Sequence, residues 1–303
     1  VPDSRSPRQE DFTALPSLSH EVGVANSQSV LHCRGRMLGL ERPVVMGVLN
    51  VTPDSFSDGG KFVRLDAAVQ RGLQMVEEGA AIIDIGGEST RPGAQPVDLH
   101  EELRRVIPVI ARLRERSSAI ISVDTSKPEV IHAAAAAGAA MINDVRALRE
   151  PGALEAAVSS GCAVCLMHMS GEPSTMQDAP SYQDVVAEVH RFLEERVAVC
   201  LGAGLPAERI VVDPGFCFGK TVQHNLELLR RLSELSARGL PILAGLSRKS
   251  LVGTLTGRPP GERVHGSVAL AVIAALNGAR ILRVHDVAAT VDALEVVSAV
   301  RSG

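Results

Sequence analysis

The 303-residue chain has no tryptophan, one tyrosine and six phenylalanines. Platforms for stacking nucleobases are therefore nearly absent. A basic stripe is missing too: 31 Lys and Arg stand against 35 Asp and Glu, a formal net charge of -4. Without a phosphate-tracking surface, nucleic acid is not an expected partner. The five cysteines are odd in number and scattered, which argues against a disulfide framework and for a reduced, cytoplasmic setting. Cys162-Ala-Val-Cys165 has the spacing of a metal pair but opens an apolar run that reads as a strand, where residues three apart point to opposite faces. It is read as core filler. No apolar stretch is long and clean enough to span a membrane, and the first residues lack a signal-peptide hydrophobic region. A soluble cytoplasmic protein is expected. Finally, there is no obvious Ser-His-Asp or Cys-His nucleophile arrangement.

What the chain does have is apolar residue, 45 % of the total, enough for a large core without disulfides or metal staples. Short apolar runs recur eight times, and each ends in polar side chains: Asn50, Asp84, Asp124, Asn143, His168, Asp213, Ser247, and Arg283 with His285. Runs without alternation, such as Ala81-Ile-Ile-Asp84 and Ile210-Val-Val-Asp213, are the pattern of strands covered on both faces of a parallel sheet. Eight of them separated by helical stretches give an α/β fold, a single-domain (β/α)8 TIM barrel. In that fold the carboxyl ends of the strands form the active-site rim, so the polar endings are candidates for chemistry.

Strands are expected at 44–50, 81–87, 119–125, 141–145, 163–168, 210–215, 241–247 and 280–286. Asp66 to Glu78 has helical spacing and a left-handed stop at Gly79. Lys127-Pro128-Glu129 opens an Ala-rich helix closed by Gly138, and Tyr182 to Leu201 is expected to be the longest helix. Residues 1–28, rich in Ser and Pro, read as a disordered lead-in to a barrel domain over 29–303. Ser29 to Leu40 is placed as a hairpin plugging the barrel bottom. The two long Gly- and Pro-rich connections follow the first and second strands, and function is expected to concentrate there.

Those connections read Asn50-Val-Thr-Pro-Asp-Ser-Phe-Ser-Asp-Gly-Gly60 and Gly86-Gly-Glu-Ser-Thr-Arg-Pro-Gly93. Taken singly, Asp54 or Ser57 would serve equally well as ordinary turn residues. Together with Ser122-Val-Asp-Thr-Ser126, Ile142-Asn-Asp144, Asp213-Pro-Gly215, Ser247-Arg-Lys-Ser250 and Arg283-Val-His-Asp286, the strings closely resemble the dihydropteroate synthase family, from about residue 42 to residue 300. The resemblance implies a transferase that joins 6-hydroxymethyl-7,8-dihydropterin pyrophosphate to p-aminobenzoate, releases pyrophosphate, and is inhibited by sulfonamides. It also implies Mg²⁺ and a homodimer, with the last two helices as the candidate contact surface. One position departs from the family: Cys217 stands where Gly is common, which puts the local loop shape in question.

The chemistry of such substrates suits the residue types. A pterin edge with adjacent N–H donors calls for a buried two-pronged acceptor, the role the resemblance gives Asp213. Asn143, able both to donate and to accept, suits the ring's mixed remaining edge; the resemblance places Asp124 as a second carboxylate beside the ring, Lys249 is expected to donate to a ring oxygen or nitrogen, and Met167 to form an apolar wall. Arg283 and His285, two apart at the end of the last strand, are expected to face the pyrophosphate, with Arg283 also able to lie against the pterin. Asn50 is the expected Mg²⁺ ligand. The p-aminobenzoate pocket is assigned to Phe218, Lys249 and Ser250, the last at a helix start, with Thr90, Arg91 and Pro92 closing over it. Phe56 either covers the site or anchors its loop. Asp84 belongs to the resemblance but has no ligand atom to meet and is read as loop support.

Two rivals share some of these features. A pterin-dependent methyltransferase of the same barrel family would lack the two long loop strings and Ser-Arg-Lys-Ser. A noncatalytic pterin binder would have no physical need for the Arg283 and His285 anion clamp. Pyrophosphate release with both substrates separates all three.

Overall fold

The computed structural model describes residues 29–51, 61–89, 96–171, 176 and 180–302. The lead-in over 1–28 and the loop residues Phe56, Thr90, Arg91 and Pro92 lie outside them.

Eight parallel strands close into a barrel: β3 (Val44–Asn50), β4 (Ile82–Gly86), β5 (Ile120–Asp124), β6 (Met141–Asp144), β7 (Ala163–Met167), β8 (Ile210–Asp213), β9 (Ile242–Ala244) and β10 (Ala279–Val284), which pairs back onto β3. All eight expected strands are present, most of them shorter than expected by one to three residues at their ends. Helices cover the outside: α1 (Lys61–Glu77), α2 (Leu99–Arg116), α3 (Pro128–Ala137), α4 (Ala153–Ser160), α5 (Val185–Gly202), α6 (Val222–Arg230), α7 (Ser250–Thr256), α8 (Val264–Leu276) and α9 (Val287–Ser302).

The expected stops hold. Gly79 and Gly138 follow α1 and α3 with φ of +99° and +111°, angles that disfavour any residue with a Cβ. Pro128 opens α3, where its missing N–H has no helical partner to lose. α1 begins five residues before the expected Asp66, and α5 is capped by Asp184, whose carboxylate accepts from the amides of Val186 and Ala187. At 18 residues α5 is matched by α2, so it is not the longest helix alone.

Strand alternation divides the apolar residues into two cores. Outward-facing Val45, Ile83, Ile121, Ile142, Val164 and Val212 pack against the helices. Inward-facing Met46, Ile82, Ile120, Met141, Cys165, Val211, Leu243 and Ile281 fill the barrel toward the amino ends of the strands. Cys162 and Cys165 fall in different cores, on opposite faces as their spacing requires, and none of the five cysteines is in a disulfide.

The hairpin is there. β1 (Val30–Cys33) and β2 (Arg36–Gly39) pair antiparallel, and Leu31, Cys33 and Leu40 are buried within the inner core, so the hairpin closes the barrel bottom. Burying one leucine this way contributes roughly 2 kcal/mol. Among the described residues no helix is long and apolar enough to cross a membrane.

Candidate active site at the carboxyl-terminal mouth

Above the inner core the inward positions turn polar: Asp84 on β4, Ser122 and Asp124 on β5, Asn143 on β6, Asp213 on β8 and Arg283 on β10. Arg283 is the centre of this layer. Its Nε donates to Asp84 Oδ2 at 2.7 Å and its Nη2 to Asp124 Oδ2 at 2.6 Å. Asn143 Nδ2 donates to the same Asp84 oxygen at 3.0 Å. Asp84, wholly buried, is therefore bonded to Arg283 and Asn143 rather than supporting a loop. Charge balance inside a barrel gives it a task that strand position alone does not reveal.

The other expected residues lie around the same opening. A Cβ added at Gly86 would meet Asn50 Oδ1 at 3.7 Å and Asp124 Oδ2 at 3.8 Å; one added at Gly245 would meet Lys249 Nζ at 3.7 Å and Arg283 Cβ at 3.8 Å. Asn50 and Asp124 thus flank one small gap, and Lys249 and Arg283 another. Lys249 Nζ donates to the Phe216 carbonyl at 2.8 Å and sits 4.7 Å from the centre of the Phe218 ring. Asp213 Oδ1 accepts from the Gly215 amide at 2.7 Å. Met167 joins Val145, Met169 and Met176 in an apolar cluster against which Phe218 packs. Ser250 is exposed at the first residue of α7, as expected of a helix start.

β10 ends at Val284, so Arg283 and His285 differ in surroundings. Arg283 reaches the acidic layer. His285, past the strand end, has Nδ1 and its amide each 3.1 Å from Ser247 Oγ. It lines a cavity of about 670 Å³ together with Asn50, Arg248 and the first residues of α9. Arg248 pairs with Asp286, Nε to Oδ2 at 2.9 Å, joining two of the sequence strings.

Burial decides the electrostatics. It pushes the Asp124 carboxyl up to about 7, against the pull of Arg283 and with the help of Asp84. It raises Asp213 as well, opposed by Lys249, and lowers Lys249 despite Cys217 and Asp213. Burial also works against the Arg283 cation, yet Asp84 and Asp124 outweigh it and hold the guanidinium above its ordinary range. The mouth thus has two cations among three carboxylates.

Two strand endings face elsewhere. His168 follows inward-facing Met167 and packs edge-on against Phe192 of α5 at 4.9 Å, behind the β8–α6 loop. Asp144 accepts from Ser126 Oγ and from the amides of Arg146 and Leu148, holding the β6–α4 turn. Sequence reasoning also passed over Lys127 at the base of the second loop, 2.5 Å from both Glu88 and the buried Glu102. Its only signal was a lysine directly after Ser126.

The family model described as "Pterin binding enzyme" matches residues 46–285, which makes this barrel with a polar mouth one of the pterin-binding enzymes. The chain is 56 % identical over 272 residues to the dihydropteroate synthase of Escherichia coli K12, covering 90 % of this chain and 96 % of that one. Solved structures agree. A Xanthomonas albilineans dihydropteroate synthase with 4-aminobenzoic acid is 57 % identical with a TM-score of 0.86, covering 91 % of this chain and all of the other. A Yersinia pestis dihydropteroate synthase with a sulfonamide drug complex is 54 % identical, also with a TM-score of 0.86, over 90 % of this chain and all of that one. The chain belongs to the dihydropteroate synthase family, whose members are transferases.

Proposed function

We propose that this mouth joins the dihydropterin methylene carbon of 6-hydroxymethyl-7,8-dihydropterin pyrophosphate to the amine of p-aminobenzoate, giving 7,8-dihydropteroate and pyrophosphate. The observation that carries this reading is Arg283, held between Asp84 and Asp124 above an apolar barrel floor and beside Lys249. A flat, polar-edged bicycle fits such a layer, with Asp213 and Asn143 meeting its edges and Met167 its face. Phe218, Lys249 and Ser250 receive p-aminobenzoate, Thr90, Arg91 and Pro92 close over it, and sulfonamides compete for the same place.

The carbon–oxygen bond breaks first, its electron pair leaving with pyrophosphate, because the conjugated dihydropterin spreads the positive charge left behind. Ionised Asp124 stabilises that charge, and Arg283 and His285 hold the departing anion. The neutral arylamine then attacks, the carbon–nitrogen bond forms, and the nitrogen loses its proton to solvent. No strong base is required.

Asn50 would hold the Mg²⁺ that the reading calls for. The residues fit in kind: Asn50 offers a neutral oxygen beside the Asp124 carboxylate, both at the mouth. One protein ligand completed by phosphate and water oxygens is the usual arrangement for this ion, which when bound supplies charge neutralisation to the pyrophosphate. The protein works as a cytoplasmic homodimer through α8 and α9, where Ile273, Leu276, Val296 and Val300 are exposed. Sedimentation of wild-type and Val296→Glu protein tests this, with a wild-type monomer against it.

The decisive assay combines purified protein, Mg²⁺, both substrates and a sulfonamide. Pyrophosphate released only when both substrates are present, and suppressed by the sulfonamide, supports the reading. Turnover insensitive to the drug overturns the pocket assignment, and no turnover overturns the function.

A further inference from the structure

The loop from Gly215 to Gly219, between β8 and α6, carries both partners of Lys249: the Phe216 carbonyl and the Phe218 ring. Its backbone is unusual. Gly215, Cys217 and Gly219 have φ of +67°, +68° and +64°, three left-handed residues at alternate positions. For Cys217 that conformation costs about 1–2 kcal/mol, and such angles persist only where the surroundings over-determine them.

Lys220 is central to those surroundings. It is 4 % exposed, and its Nζ lies 2.9 Å from the Gly215 carbonyl, 3.0 Å from the Phe218 carbonyl and 3.0 Å from His168 Nδ1. An ammonium has three N–H donors and no acceptor, so Nδ1 of a neutral imidazole receives the third bond. The two carbonyls bracket Phe216 and Cys217. Three lesser ties complete the loop: Tyr182 Oη donates to the Gly219 carbonyl at 2.9 Å, the Cys217 amide to Asn225 Oδ1 at 2.7 Å, and the Phe218 amide to the Gly215 carbonyl at 3.1 Å.

We propose that Lys220, anchored on His168, is a positioning residue for p-aminobenzoate: by drawing the Gly215 and Phe218 carbonyls onto one ammonium it fixes the Phe216 carbonyl that holds Lys249 and the Phe218 ring beside it. Burial pushes the imidazole down to about 2, which keeps it an acceptor, and works against the Lys220 cation too, with Asp213 opposing that shift. Burying a cation there disfavours folding relative to an apolar side chain of the same length, so a positioning task accounts for a lysine where a methionine would pack. Most of the pterin side of the mouth, Asp84, Asp124, Asn143 and Arg283, stands on other strands; Asp213 and Lys249 touch this loop through the Gly215 amide and the Phe216 carbonyl, so the pterin loses far less than p-aminobenzoate when the loop shifts.

The inference rests on the reading of the mouth given above, and steady-state kinetics separate the two. If wild-type protein forms no dihydropteroate, the function fails. With active wild type, Lys220→Met is expected to raise KM for p-aminobenzoate about tenfold while KM for dihydropterin pyrophosphate stays within about twofold, the scale set by loss of a charged hydrogen bond. Arg209→Met, which removes guanidinium bonds to the Ala157 and Cys162 carbonyls away from the mouth, controls for general destabilisation and is expected to leave both KM values unchanged. An unchanged p-aminobenzoate KM in Lys220→Met, an equal rise in both KM values, or a fall in kcat alone overturns the proposal. Should Lys220→Met not fold, His168→Leu, which removes the anchor of the Lys220 ammonium, decides: a selective rise of about threefold in KM for p-aminobenzoate supports the proposal, and no change overturns it.

Discussion

Arg283 and Asp84 form an ion pair inside the barrel, Nε to Oδ2 at 2.7 Å, with the carboxylate wholly inaccessible to solvent. Asp84 Oδ2 also receives Asn143, so one oxygen sets the orientation of two mouth residues. Removing it leaves a buried guanidinium with Asp124 alone. Asp84→Ala is expected to destabilise the protein by about 3–5 kcal/mol in urea unfolding and to raise KM for the pterin substrate. Unchanged stability would show that Asp124 suffices.

Asp124 gives a pH dependence. Its carboxyl is pushed up to about 7 by burial, and in the proposed mechanism the ionised form is the one that favours a cationic pterin. Activity is expected to rise between pH 6 and 8, a limb that Asp124→Asn removes while lowering kcat by roughly a hundredfold. The stability sign is opposite. Folding takes up a proton at Asp124 between about 3.9, the unfolded value, and 7, so this residue's contribution to stability is lost as pH rises through that window. A pH–rate profile unaltered by Asp124→Asn would refute the assignment.

Chelation should act on one substrate only. On the proposal that Asn50 would hold Mg²⁺, EDTA is expected to weaken binding of the pterin pyrophosphate at least tenfold and to leave the pyrophosphate-free pterin unaffected in calorimetry. Asn50→Ala should mimic the chelator. Equal weakening of both pterins would remove the metal from the pyrophosphate site.

Cys217 occupies a left-handed position at φ +68°. Cys217→Gly relieves that strain but adds freedom to the unfolded chain, leaving a net gain of about 0.5–1 kcal/mol. Urea midpoints measure it, and a loss of stability would mean that contacts of the thiol outweigh the strain.

Early departure of pyrophosphate predicts that bridging and nonbridging oxygens of the bound ester exchange in the absence of p-aminobenzoate. Isotope-shifted phosphorus spectra follow the exchange. Scrambling that requires the second substrate would instead favour direct displacement.

Apolar runs without alternation fixed the eight strands in advance, because a strand covered on both faces leaves a compositional mark that needs no knowledge of its neighbours. Gly79, Gly138 and Pro128 announced helix boundaries through their own backbone limits, and the polar strand endings announced the rim. Sequence also marked Cys217 as a residue in a glycine's place, and the positive φ gives the reason. Which endings meet was decided by closure of the barrel. Arg283 pairs in register with Met46, and Met46 with Ile82, yet the long guanidinium reaches Asp84 one inward step farther along β4, a meeting of residues 199 positions apart. His168 looked equivalent to the other endings until strand parity turned it outward, where it meets Lys220 under the loop. Local pattern determines how each segment folds and which side chains it offers; only the stagger between paired strands determines which of those side chains share a cavity, because that stagger is a property of the closed sheet.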